Sequence, residues 1–282
     1  MAALLHLSDP HFGTERAPVV EALLHCVARQ TIDVAVISGD ITQRARRHQF
    51  DAARAFVERL RAGLNGAPVL VLPGNHDIPL YALQRRLLRP FAGFRRVFGP
   101  QLEACHEDDS LQLQLVNTVS RWRHTDGVVR ADQVERVARR LEAARPGQLR
   151  VIVTHQPAAV VRPQDASDLL RGRERALRRW AAAGADLLLG GHIHLPYVQP
   201  LALPGPDGAP RPLWVVQAGT ALSHRIRHEA GNSFNLIRHG AGASACVVER
   251  WDYDEAEHRF ACRAQTPLAL ECGPAEATTR AS

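Results

Sequence analysis

Short runs rich in Val, Leu and Ile alternate along the first two thirds of the chain with segments whose apolar residues recur at three- and four-residue steps. The runs Leu4–Leu7, Val34–Ser38, Val69–Leu72, Leu111–Val116, Leu149–Thr154 and Asp186–Leu189 predict buried strands. The segments between them, Val19–Gln30, Gln49–Arg61, Asp132–Ala144 and Arg173–Ala183, predict helices packed on the outside of a sheet. Such alternation argues for an α/β sandwich. After His194 the pattern changes. Tyr197–Leu203, Leu213–Gln217, Ser233–Arg238, Ala245–Trp251 and Arg259–Ala264 read as successive strands, with the turn residues of Pro204–Pro210 forming a hairpin-like loop. A β-rich, mainly antiparallel C-terminal third is expected. From about Gln265 the residues become small and polar, which predicts one catalytic domain over residues 1–265 and a flexible tail over 266–282.

Composition changes this picture little. A chain of 282 residues with 45% apolar and 23% charged residues is an ordinary globular protein that can bury one large core. The N-terminus meets His6 and Asp9 before a signal-peptide core can form, and no stretch approaches the roughly 20 apolar residues that span a bilayer. A soluble cytoplasmic protein is expected. The cysteines, Cys26, Cys105, Cys246, Cys262 and Cys272, are an odd, scattered set without a C-x-x-C pair, which fits reduced thiols. The net charge of +6 is almost all arginine and lies in helix-like segments. A solvated helix face is the commoner origin of such charge; attraction to nucleic acid or an anionic membrane is the alternative.

The candidate chemistry stands at the ends of the predicted strands. Asp9-Pro10-His11 follows the first, Gly39-Asp40 the second and Gly74-Asn75-His76-Asp77 the third; Thr154-His155-Gln156-Pro157 and Gly190-Gly191-His192-Ile193-His194 follow later ones. A parallel sheet gathers the carboxyl ends of its strands at one edge. Singly, each motif reads as a helix cap, a turn or a satisfied polar group. Together, five strand ends offer the carboxylate, amide and imidazole donors that suit Mn, Fe or Zn.

In these five blocks, D-x-H, G-D, G-N-H-D, H and G-H-x-H, the sequence resembles the calcineurin-like metallophosphoesterases, over about two thirds of the chain from Asp9 to His194. It looks closest to the bacterial branch of cyclic nucleotide phosphodiesterases and glycerophosphodiesterases. The resemblance implies a four-layer α/β/β/α sandwich with a mixed sheet and two divalent or trivalent metal ions. It further implies Asp9, His11, Asp40 and His194 around one ion and Asp40, Asn75, His155 and His192 around the other, with a bridging hydroxide as nucleophile. His76 would line the substrate side, as transition-state stabiliser or proton donor to the leaving oxygen. Asp77 would orient His76 or cap a helix beginning near Pro79.

Departures from the pattern narrow the activity. Gln43 stands where protein phosphatases of the superfamily carry an acid, and His76 where the lipid A branch carries arginine. Gln156 replaces a second histidine before Pro157 that many relatives have. Arg225 and Arg227, with His224 before them, are candidates for holding a substrate phosphate, against an ordinary surface salt bridge. In the loop Arg121-Trp122-Arg123-His124 the indole stacks on a base or, more commonly for a tryptophan, packs as core. The expected activity is hydrolysis of a small phosphodiester, with a cyclic nucleotide as the best single substrate. The alternatives are a nuclease or nucleotide pyrophosphatase on the same centre, with nucleic acid the less favoured partner, and a non-catalytic scaffold, a class that usually loses ligands that this chain keeps.

Overall fold

At the centre of the first sheet lies β1 (Ala2–Leu7), a strand buried on both faces. It pairs parallel with β2 (Val34–Ile37), which pairs parallel with β3 (Val69–Val71). On its other side β10 (Ser233–His239), β11 (Ala245–Asp254) and β12 (Arg259–Ala269) add antiparallel. These features belong to a computed structural model that describes residues 2–270 apart from 124, 228 and 229.

The second sheet runs in the order β4 (Cys105–Glu107), β5 (Leu111–Leu115), β6 (Leu149–Val153), β7 (Leu187–Gly190), β9 (Pro210–Gln217), β8 (Tyr197–Pro204). Its four inner strands are mutually parallel and its two edges antiparallel. Strand alternation then sets the layers. Leu4, Val34 and Val36 of the first sheet pack against Leu113, Val151 and Leu189 of the second. Leu5, Leu7 and Ile37 face outward onto helices α1 (Ala17–Val27) and α2 (Arg47–Gly63). Ile152, Leu188 and Leu213 face outward onto α5 (Ala131–Glu142) and α6 (Arg173–Ala182) around the buried Trp180. The result is the expected α/β/β/α sandwich of two mixed sheets, with a strand-rich C-terminal region.

Several elements differ from the reading of the sequence. The C-terminal third is mainly antiparallel, as expected, and its one exception is β9, which inserts parallel to β7 before the chain crosses to the first sheet. β12 passes the expected boundary at 265, since Thr266 and Leu268 pair with Val248 and Cys246 and the Leu268 side chain is fully buried between the sheets. The rest of the expected tail, 271–282, lies outside the described residues. Two short helices, α3 (Leu83–Leu88) and α4 (Ala92–Phe98), went unread because Pro90 divides the pattern into pieces under two turns. The short, half-exposed edge strand β4 has no apolar run to mark it. The helical arginines behave as solvated faces, several of them paired, as in Arg59 with Glu21, Arg54 with Glu58 and Arg179 with Glu142. Among the described residues Cys26, Cys105, Cys246 and Cys262 are unpaired, with Cys272 outside them. No described helix is long and apolar enough to cross a membrane.

Candidate metal centre

The parallel strands β1, β2 and β3 of one sheet and β6 and β7 of the other bring their carboxyl ends to the same rim of the sandwich, and the five polar blocks follow them there. Asp9 N–H donates to the Gly39 carbonyl (3.1 Å) and His11 N–H to that of Asp40 (3.0 Å), which ties the first two turns together. Asp9, His11, Asp40, His192 and His194 all have positive φ, between 45° and 72°. Only Ala45, Asn65 and His258 share that state among the other described non-glycine residues. Left-handed backbone costs such residues about 1 kcal/mol each. Strain concentrated on five chemically related side chains marks a site the surrounding fold holds in place.

The side chains form two buried groups. In one, Asp9 Oδ1 lies 3.1 Å from His194 Nε2 and 3.6 Å from His11 Nε2. The other gathers Asp40, His155 and His192. Asp40 stands between the groups. Its Oδ1 lies 3.2 Å from His155 Nε2, whereas its Oδ2 lies 3.8 Å from His11 Nε2. Asn75 Oδ1 reaches to 3.2 Å from the same His155 nitrogen.

Outer contacts fix which imidazole nitrogens face inward. His155 Nδ1 donates to the Ser38 carbonyl (2.9 Å) and His194 Nδ1 to that of Arg225 (2.6 Å), so in the neutral rings Nε2 carries a lone pair. His194 Nε2 then lies 3.1 Å from His11 Nε2, nitrogen facing nitrogen beside a carboxylate. Converging acceptors with so few protons between them suit a cation, and each group can hold one. Burial pushes the Asp9 carboxyl up, but His194 and His11 outweigh it and hold it well below the usual range. Asp40 is held low in the same way by His155 and His76. Burial opposes a proton on His155, but the Asp40 carboxylate overcomes it and raises the ring to about 9.

Asp77 neither orients the His76 ring nor caps a helix at Pro79. Its carboxylate accepts from the backbone of Ile41 (3.0 Å), Thr42 (2.8 Å) and Gly74 (2.8 Å) and from the Thr42 hydroxyl (2.9 Å), clamping the third turn to the second. Burial and the nearby Asp40 charge push its carboxyl up to about 6, against those donors. Asp77→Ala leaves three buried N–H groups without an acceptor. It should cost about 3 kcal/mol or more of stability in denaturant unfolding.

The family model for calcineurin-like phosphoesterases matches residues 2–196. The chain belongs to that family. No curated protein matches it. Among solved structures, this calcineurin-like phosphoesterase is similar to a dimetal phosphatase from Danio rerio, with TM-score 0.59 at 12% identity over 96% of this chain and 99% of that one. It is also similar to the purple acid phosphatase PPD1 of yellow lupin (Lupinus luteus) seeds, with TM-score 0.69 at 12% identity over 95% of this chain. It spans only about half, 53%, of the lupin protein. At such identities the likeness carries the fold. The family and the two donor groups together support a metal-dependent phosphoester hydrolase with a binuclear centre.

On the open side of the calcineurin-like centre, His76 is half-buried, with Nδ1 donating to the Gln43 carbonyl (2.9 Å) and Nε2 3.9 Å from Asp40 Oδ2. Arg225 Nη1 lies 3.3 Å from that Nε2. The structure thus brings Arg225 to the site. Arg227 points onto Asp165 (3.0 Å) and the Ile193 carbonyl (3.2 Å), a bridge within the fold. His224 is exposed, with its backbone N–H on the Thr14 carbonyl (3.1 Å). Trp122 is not core: it is 73% exposed, with the Arg121 guanidinium over its ring, while His124 lies outside the described residues. Motif reading also missed Asp168, 3.4 Å from His192 Nε2. The Ser38 carbonyl is missed as well, and Gln43 is read only as a departure from the protein phosphatases, without its contacts to His76 and Arg225. Asp168 and Ser38 belong to no block, and only its position after Gly39-Asp40 drew notice to Gln43.

Proposed function

We propose that this chain hydrolyses phosphodiester bonds of small substrates, with a cyclic nucleotide as the substrate of choice. The observation that carries the reading is Asp40, whose two carboxylate oxygens face the two donor groups separately. In this reading Asp9, His11, Asp40 and His194 hold one cation and Asp40, Asn75, His155 and His192 the other. Two such ions, Mn, Fe or Zn, would when bound supply the Lewis acidity for activating water and offsetting charge on the phosphoryl oxygens. The chain's own residues do the rest. Ser38 and the Arg225 backbone keep the His155 and His194 rings turned inward. His76, with Nδ1–H committed to Gln43, presents Nε2 to the reacting group and, when protonated, donates to the leaving oxygen. Arg225 binds a non-bridging phosphoryl oxygen beside it.

The test is turnover of bis-p-nitrophenyl phosphate by protein supplied with Mn and by chelator-treated protein. Activity is expected only in the first, returning when Mn is restored. No hydrolysis of any phosphoester with Mn, Fe or Zn supplied would remove the reading. A second reading, a nuclease on the same centre, draws on exposed Trp122 and Tyr81, each under an arginine, as aromatic platforms for single-stranded bases. A panel of cyclic nucleotides, dinucleotides and single-stranded DNA separates the two.

A further inference from the structure

Gln43 holds both groups that face the substrate side. Its backbone N–H donates to the Phe12 carbonyl (3.0 Å), which anchors it to the turn carrying His11. Its carbonyl accepts from His76 Nδ1 (2.9 Å) and its side-chain Oε1 from Arg225 Nη1 (3.1 Å). Arg225 and His76 are themselves 3.3 Å apart, so the three residues close a ring beside Asp40. Arg227, two residues on, has a carboxylate partner in Asp165; among the described residues no carboxylate pairs with Arg225, and its side-chain bonds are to an amide oxygen and an imidazole.

The chemistry of that choice is specific. An amide oxygen orients a guanidinium without subtracting its charge. A carboxylate in the same place would take the guanidinium into a charge-assisted pair and cancel most of the field it projects toward a ligand. A phosphodiester group carries one negative charge and two non-bridging oxygens, a load that one uncompensated guanidinium fork matches. We propose that Gln43 is a positioning residue that sets substrate class: it aims Arg225 at the non-bridging oxygens of a singly charged phosphodiester while leaving that arginine's charge uncancelled. This rests on the phosphodiesterase reading for the identity of the bound group. The same Gln43 carbonyl fixes the His76 ring through the backbone, so side-chain substitution leaves that bond in place.

The experiment compares Gln43→Glu with Gln43→Ala, using bis-p-nitrophenyl phosphate turnover and calorimetric binding of inorganic phosphate to Mn-loaded protein. Cancelling the charge is worth about 1.4 kcal/mol, a factor of ten. Gln43→Glu should raise KM about tenfold and weaken phosphate binding by a similar factor, with kcat within about threefold. Gln43→Ala, which only loosens the guanidinium, should raise KM about two- to threefold. In an Arg225→Ala background Gln43→Ala should add nothing to the loss. Equal effects of Glu and Ala, a fall in kcat with KM unmoved, or full additivity of Gln43→Ala with Arg225→Ala would each overturn the proposal. Should the Glu variant lose metal or stability, additivity between Gln43→Ala and Arg225→Ala decides the matter alone. If the wild-type chain turns over no phosphodiester, the functional reading fails by itself, and the ranking of phosphate affinities still judges Gln43.

Discussion

Replacing Asp40 by asparagine is expected to lower phosphodiester turnover more than about 100-fold and to leave the protein with fewer than two bound ions per chain. The substitution keeps the shape and removes the charge. Asp40 Oδ1 also accepts from His76 N–H (2.8 Å), a bond an amide oxygen can keep, so the turn survives. What is lost is the anion between the two donor groups. One end of the amide is an N–H2 group that cannot ligate, so either the His155 side or the His11 side loses its shared donor. Repulsion between neighbouring cations is then unrelieved. Metal analysis of protein purified without chelator, read beside turnover at saturating Mn, checks both parts. An asparagine variant that keeps two ions and activity within tenfold of wild type would overturn the bridging assignment.

Gly74→Ala should be as damaging without touching a single donor. A Cβ there would overlap the Asp40 backbone nitrogen and its Oδ1. The backbone cannot give way easily, because Asp40 already sits at φ 49° and its carbonyl receives the His11 N–H. The second and third turns must part, which breaks the Asp77 clamp and separates Asn75 from His155. We expect loss of metal together with more than about 100-fold loss of activity and a lower melting temperature. Gly66→Ala is the control: Gly66 is left-handed, at φ +85°, where Gly74 is extended, but a Cβ at Gly66 meets nothing within 4 Å. It should cost about 1–2 kcal/mol of stability and leave the activity alone. Equal activity in the two variants would show that the packing of Gly74 against Asp40 is not what holds the centre.

The sequence carried the layers because period-two and period-3.6 patterns report directly on burial. Leu4, Val34 and Val36 were legible as strand residues, and Val134, Val137 and Leu141 as a helix stripe. The seven donors were legible as a set because short polar blocks follow strand ends, and the structure brings all seven to one rim. Arg225 was picked out by its place after a strand, but nothing local distinguished it from Arg227, whose contact with Asp165 crosses 62 residues. Asp77 was misread because a carboxylate near a proline looks like a cap, whereas its acceptors were needed 35 and 36 residues away by Thr42 and Ile41. Trp122 breaks the usual preference of indoles for the interior, and its exposure depends on where a loop runs. The contacts of Gln43 escaped for a similar reason: its partners lie 33 and 182 residues off in the chain.

Asp9, Asp40 and Asn75 come from turns of one sheet, His155, His192 and His194 from turns of the other. A loaded centre therefore acts as a polar rivet at one lip of a sandwich whose halves are otherwise held by apolar packing and a few ties to backbone carbonyls, such as Gly242 N–H to the Gly147 carbonyl (3.1 Å) at the far lip. Any slip of one half across the other at the riveted lip pulls the ligands apart before it exposes the interior.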